Sequence, residues 1–164
     1  MTFSTPEVRT GIGYDSHRFG PGGPMRLGGV DIPGDVHCAG HSDGDAICHA
    51  LTDAVLGAAG LGDIGELYPD PDPANRGRDS IEMLAAALAL VRRERFRVVS
   101  VDATVVAEHP KIGPQRGAIR ERLATVLGVD ARAVGIKGKT NEGMGWIGRG
   151  EGLAVIAVVT LARG

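Results

Sequence analysis

The sequence is poor in cysteine, nearly balanced in charge and without a long apolar run. Cys38 and Cys48 are its only cysteines and show no CxxC spacing, which excludes a disulfide framework and suits a reducing cytoplasm. Each thiol reads as a small buried apolar residue. Lys and Arg number 18 against 20 Asp and Glu, and the longest charged patch is Arg92-Arg93-Glu94-Arg95. No electrostatic footprint for nucleic acid or an anionic membrane follows, so a small-molecule partner is expected. The most apolar run, residues 153–162, is about half the length of a bilayer span. The opening "MTFSTPEV" has no basic segment followed by an apolar one, so no secretory leader is expected. Glycine, by contrast, is abundant at 26 residues. The glycines cluster over 11–34, 57–65 and 135–152 without a fixed period, which marks tight turns and backbone approaching a ligand rather than repeats.

A chain of 164 residues reads as a single domain over 1–164, with a loose start over about 1–8 and a core that needs no disulfide or metal. "MRLGGVDI" predicts a hairpin about Gly28-Gly29. Ile47, Ala50, Leu51, Ala54, Val55 and Ala58 recur at helical spacing, predicting a helix over 45–59 capped by Ser42 or Asp43 and ended by Gly60. A second helix follows Asp79 or Ser80, with Ile81, Leu84, Ala85, Leu88 and Val91 on one face. "RVVSVDATVVAE" predicts a central strand with Val99, Val101, Ala103 and Val105 on one face. A third helix carries Ile119, Leu123, Val126 and Leu127 before Gly128, and "AVGIKGK" and "GLAVIAVVTLA" predict two closing strands. The expected fold is α+β, a mixed β-sheet with helices packed on one face. No further helix remains to cover the other face, so that face is expected to be buried by self-association.

The stretch "GYDSHRF" places Asp15 and His17 at i and i+2, on the same side of an extended segment. His49 lies on the first helix away from its apolar stripe and can supply a third ligand. Two His and one carboxylate leave a tetrahedral position open, the arrangement of a catalytic zinc. Equally, Asp15 and His17 read as turn residues and His49 as a hydrogen-bonded surface histidine. His41 and Ser42 precede the helix, where unpaired N–H groups and the helix dipole favour a phosphate, or where Ser42 simply caps. Asp45 and Asp53 can orient the free nitrogen of His49, or serve as cap and solvated face. "KGKTNEGMGWIGRGEG" combines flexible backbone with Lys137, Lys139, Thr140, Glu142 and Arg149. It suits a phosphate-gripping loop with Glu142 available for Mg²⁺, or a solvated hairpin. Trp146 and Met144 either line a substrate face or pack under loops. His37 and His109, without partners at ligand spacing, read as surface histidines.

Taken in order, "GYDSHRF", "HSDGDAICHALTDAVLGAAGLGDIG", "YPDPDP", "AEHPKIGPQ" and "KTNEGMGWIGRGEG" resemble the 2-C-methyl-D-erythritol 2,4-cyclodiphosphate synthases of non-mevalonate isoprenoid synthesis. The resemblance runs from about residue 11 to 162. It implies a homotrimer with sites at subunit interfaces, one Zn²⁺ and one Mg²⁺ or Mn²⁺ per site, and cyclisation of 4-diphosphocytidyl-2-C-methyl-D-erythritol 2-phosphate with loss of CMP. By that resemblance Asp15, His17 and His49 hold zinc, the span from Asp15 through Ser16 to His17 borders the substrate, and Glu142 holds the second metal. His41 and Ser42 fall where the family holds the substrate phosphates, and Asp63, Ile64 and Gly65 where it holds the methylerythritol hydroxyls. Tyr68, Pro69, Asp70, Pro71 and Asp72 match a further lining segment. Ala107, Glu108, His109, Pro110, Lys111, Ile112 and Gly113 match the cytidine pocket, as do Gly138, Lys139 and Thr140, with Asn141 and Trp146 nearby. Arg149 matches a residue near the phosphates and the threefold axis. His41 and Thr140 are assigned to stabilising transition-state charge. Ser16 replaces a residue usually hydrophobic in the family, and Lys139 a small hydroxyl, so Lys139 either contacts the nucleotide phosphate or lies along the surface. A zinc phosphohydrolase and a non-catalytic binder of isoprenoid diphosphates are the rival readings.

Overall fold

The computed structural model describes residues 6–69 and 72–164. Its elements are β1 (Glu7–Pro21), β2 (Met25–Leu27), β3 (Val30–Ile32), β4 (Val36–Cys38), α1 (Ala46–Ala59), α2 (Ile64–Leu67), α3 (Ser80–Arg93), β5 (Arg97–Val106), α4 (Arg116–Leu127), β6 (Val134–Lys139), α5 (Gly145–Gly148) and β7 (Gly152–Arg163). Five strands form one sheet in the order β4-β1-β7-β5-β6, antiparallel except for β5 against β6, and β2 pairs with β3 in a separate hairpin. β1 and β7 pair from Glu7↔Arg163 to Arg18↔Gly152. Glu7 and Val8, expected within a loose start over about 1–8, already lie in the sheet.

Strand alternation divides the sheet into two faces. Leu153, Val155, Ala157, Val159 and Leu161 of β7 are buried on the helical side. On the opposite side Ile12 and Tyr14 are 70% and 57% exposed, with Ile156 and Val158 beside them. This is the α+β arrangement expected, with one sheet face left apolar and open. β5 departs from its expected face at one residue. A register shift between Val98 and Ser100 changes the phase of the alternation, so Val98 is buried and Val99 exposed, while Val101, Ala103 and Val105 point inward as expected. On α3 the stripe likewise shifts by part of a turn, burying Met83 and Ala87 and leaving Ala85 exposed.

α1 lies directly on β1. A Cβ at Gly11 would stand 2.0 Å from the Ala54 carbonyl oxygen, and one at Gly13 only 1.8 Å from that of Ala50. Those glycines, read from sequence as turn or ligand positions, are where strand and helix backbones touch. Along the contact, two strand residues advance about 6.6 Å and four helical residues about 6 Å, so β1 and α1 stay in step.

The helix start corrects another expectation. Its N-cap is Asp45, as one of the two readings of that residue has it, and not Ser42 or Asp43. The fully buried Asp45 carboxylate accepts from Cys48 N at 3.0 Å, Gly28 N at 2.8 Å and Gly29 N at 2.6 Å. Gly28 and Gly29 both have positive φ, so the hairpin turn aims its amides at that carboxylate. One side chain thus caps α1 and fastens β2–β3 to it. Asp45→Asn turns an amide N–H toward one of these donors and is expected to cost about 2 kcal/mol in urea unfolding. An unchanged unfolding midpoint would contradict this.

Candidate functional site

Beyond Gly13, β1 passes the N-terminal end of α1, and its inward positions again have room for side chains. Asp15 and His17 occupy them on the same side of the strand, as the i, i+2 spacing predicts. About one turn into α1, His49 reaches the same point. Asp15 Oδ2 lies 2.8 Å from His17 Nδ1 and 3.5 Å from His49 Nδ1. The two imidazole rings are 5.2 Å apart between centroids, with side chains only 10% and 11% exposed. Among the described residues, these three form the group of His, Cys, Asp or Glu side chains able to share a metal ion.

The chemistry of the donor set fits a cation. Asp15 Oδ2 and His17 Nδ1 are buried and neither has a hydrogen-bond partner, despite their close approach. A buried carboxylate oxygen and a buried ring nitrogen that face one another without a well-directed hydrogen bond are costly in the protein alone and natural around a positive ion. Burial pushes the Asp15 carboxyl up, but the facing imidazoles of His17 and His49 outweigh it and hold the group below the ordinary carboxylate range. Burial alone would lower the His49 imidazole, and Asp15 beside it raises it above its usual value.

A cleft of about 340 Å³ opens above this trio, lined also by Gly40, His41, Ser42, Ile64, Gly65, Tyr68, Asn75 and Met83. Most of the residues assigned to one half of the site therefore come together. Asp63 does not line the cleft; its carboxylate caps α2 by accepting from Glu66 N at 2.9 Å. Pro69 follows Tyr68, Asp70 and Pro71 lie outside the described residues, and Asp72 caps a turn over 73–75. The open helix start expected to attract an anion at His41 and Ser42 is absent, because Asp45 already occupies it. His41 and Ser42 border the cleft as side chains instead. Neither Asp45 nor Asp53 orients His49: Asp53 accepts from Ile64 N at 2.8 Å and ties α2 to α1.

The partners of His49 are two serines. Its Nε2 lies 3.0 Å from Ser42 Oγ and 2.9 Å from Ser80 Oγ. Ser80 was read as a possible helix cap, and Asp79 takes that role. In "RDSIEM" either Asp79 or Ser80 suffices as a cap, which leaves the other free, and this is the signal that could have marked Ser80. Asn75 and Met83 also escaped sequence reasoning.

A second cleft of about 320 Å³ joins Ala107, Pro110, Lys111, Ile112 and Gly113 to Gly138, Lys139 and Thr140, with Pro114 and Arg116 in addition. A backbone bond of 2.8 Å from Ala107 N to Lys139 O holds the two segments together. Two members of the first segment turn away. Glu108 Oε1 accepts from Asn141 N at 3.0 Å and Gly143 N at 3.2 Å, fastening the following loop. His109 stacks near Phe19, 5.4 Å between ring centroids. Lys137, read as part of a phosphate grip, is paired with Asp102 at 2.5 Å on the open sheet face. Ser16 points to the face opposite Asp15 and borders a groove with Arg18, Trp146 and Glu151. Arg149 pairs with Glu151 at 2.6 Å. Glu142 is exposed, with φ 55°, and joins no ligand cluster among the described residues. The two clefts share no lining residue.

The YgbB family model matches residues 8–162, a span that takes in every element from β1 to β7 except the terminal residues Glu7 and Arg163. The chain belongs to the YgbB family. A relative from Gemmatimonas aurantiaca, named 2-C-methyl-D-erythritol 2,4-cyclodiphosphate synthase, is 68% identical over 154 residues, covering 94% of this chain and 93% of its own. A solved structure of a 2C-methyl-D-erythritol-2,4-cyclodiphosphate synthase in a CDP-bound form superposes with TM-score 0.86 at 40% identity, covering 93% of this chain and 99% of the other. The bifunctional IspDF of Campylobacter jejuni superposes with TM-score 0.94 at 42% identity; the match covers 98% of this chain and 43% of that longer one. The YgbB fold thus recurs both alone and within a larger protein. No helix among the described residues is long and apolar enough to cross a membrane.

Proposed function

We propose that this chain converts 4-diphosphocytidyl-2-C-methyl-D-erythritol 2-phosphate to 2-C-methyl-D-erythritol 2,4-cyclodiphosphate and CMP. The observation that carries the reading is the Asp15, His17 and His49 cluster at the base of a cleft in a chain of the YgbB family. An oxygen of the 2-phosphate forms a bond to the β-phosphorus, the bond from that phosphorus to the bridging oxygen breaks, and CMP departs with the electron pair. The nucleophile is already an anion, so no residue needs to activate it, and positioning and charge supply the rate.

Asp15, His17 and His49 would hold Zn²⁺. Glu142 would hold Mg²⁺ or Mn²⁺, which take few protein carboxylates and complete their shell with phosphate and water. Bound there, such ions supply Lewis-acid stabilisation of charge on the diphosphate oxygens. His41 and Ser42, on the cleft wall, bind the phosphates, with His41 and Thr140 donating to oxygens that gain charge in the transition state. Ile64 and Gly65 seat the methylerythritol portion, with Tyr68 and Pro69 beside it. The 107–113 and 138–140 walls seat the cytidine, and Lys139 reaches its phosphate.

Two features support a homotrimer with composite sites. The open sheet face presents Ile12, Tyr14, Ile156 and Val158, an apolar surface that a second and third copy would bury. The two clefts share no lining residue, so a neighbour's nucleotide cleft completes each metal cleft. The buried free thiols of Cys38 and Cys48 suit work in the cytoplasm.

The test is ³¹P NMR of the full chain with this substrate, Zn²⁺ and Mg²⁺, beside sedimentation equilibrium. Coupled cyclic diphosphate signals with CMP, from a species of three times the monomer mass, are expected. Inorganic phosphate as product would indicate a hydrolase, an unchanged spectrum a binding protein, and a monomeric active enzyme would remove the composite site.

A further inference from the structure

The residues behind His49 form a chain of hydrogen bonds whose direction can be deduced. The Ser80 hydroxyl makes a short bond to Asp43 Oδ1, and Asp43 Oδ2 accepts from Ser80 N at 3.1 Å. Asp43 Oδ1 also accepts from Asp45 N at 3.2 Å. A carboxylate only accepts, and a serine hydroxyl has a single proton. The Ser80 proton is therefore committed to Asp43, and what Ser80 Oγ offers to His49 Nε2, 2.9 Å away, is a lone pair. Nε2 must then carry a hydrogen, which in the neutral imidazole leaves Nδ1 bare on the side of Asp15 and His17.

We propose that Asp43 and Ser80 are positioning residues that fix the tautomer and ring orientation of His49, so that Nδ1 is the nitrogen presented to the metal. Ser42 differs in role although its Oγ is equally close to Nε2. It accepts from Gly44 N at 3.2 Å and has no carboxylate behind it, so its own proton remains available to the cleft. Ser80 itself is completely buried at the start of α3, out of reach of any substrate in the cleft. Second partners of this kind commonly change metal affinity by about 10–100-fold.

The inference rests on the metal reading of the Asp15, His17 and His49 cluster, and the experiment separates the two. In ¹⁵N NMR of the metal-free full chain, at a pH high enough that the imidazole is neutral, His49 is expected wholly as the Nε2–H tautomer, and Ser80→Ala is expected to give a mixture of both. Zn²⁺ affinity, measured by chelator competition, is expected to fall about 10–100-fold in Ser80→Ala, to recover within a few-fold in Ser80→Thr, and to change less in Ser42→Ala. Should Ser80→Ala fail to fold, Asp43→Asn serves, because it frees the Ser80 proton to turn toward Nε2 and gives the same mixture. A wild-type protein that binds no Zn²⁺ at this cluster would sink the metal reading, while the tautomer would still decide the role of Ser80. A single unchanged tautomer in folded Ser80→Ala or Asp43→Asn overturns the proposal.

Discussion

Asp15→Ala is expected to lower kcat/KM for the cyclisation by on the order of 10³-fold or more while the protein remains folded. Its Oδ2 faces both imidazoles, at 2.8 Å from His17 and 3.5 Å from His49, and it is the one anionic member of the cluster. Without it, two neutral nitrogens remain, and a divalent ion loses the ligand that offsets its charge. The fold has little stake in this carboxylate, since the strand pairing of Asp15 with Val155 runs through the backbone. Three readings on one preparation decide the matter: product formation by ³¹P NMR, bound zinc after dialysis, and thermal unfolding. Activity retained within tenfold of wild type, with metal still bound, would show that the cluster is not the catalytic metal site.

Gly13→Ala should strike both stability and site. The added methyl would sit 1.8 Å from the Ala50 carbonyl oxygen and 3.0 Å from Ala54 N. The obstacle is helix backbone, so no rotamer change relieves it, and α1 must lift from β1. A cost of about 3 kcal/mol or more in urea unfolding is expected, at the upper end for overpacking. His49 rides on the same helix, and lifting it moves its imidazole from Asp15 and His17. Zinc affinity should therefore fall in Gly13→Ala even under conditions where the variant is fully folded. Wild-type stability would mean that strand and helix approach less closely, and lost stability with unchanged zinc affinity would mean that α1 shifts without moving His49.

The elements with sustained periodicity were legible from the residues alone. α1, α3, α4 and β7 follow from apolar spacing, and the Gly28-Gly29 hairpin from its turn chemistry. Missed features were those settled by distant contacts. Ser42, Asp43 and Asp45 can each cap a helix, and the choice falls to Asp45 because the amides of Gly28 and Gly29, far away in sequence, point at it. The Val98–Ser100 irregularity leaves no trace in a run of valine and serine. In the site, Asp15 and His17 were legible as a pair because strand geometry alone joins them. Their meeting with His49 depends on how β1 lies on α1, for which Gly11 and Gly13 were the clue, read as turn or ligand positions. The link from His49 to Ser80 and Asp43 depends on how α3 packs beside α1, and nothing in local spacing records it.

The pairing of β1 with β7 also has a bearing on how the molecule is made. Asp15 and His17 lie on a strand whose long partner, residues 152–163, comes near the end of the sequence, and Glu7 finds its place only opposite Arg163. During synthesis β1 must wait, without its main hydrogen-bonding neighbour, until residues 152–163 have also left the ribosome. Helical segments can form locally in the meantime, but closing the sheet joins positions separated by most of the sequence, a slow step by its contact order. On the proposed metal reading, the nascent chain is expected to bind zinc only after residue 163 has emerged, which would make zinc loading a reporter of sheet closure.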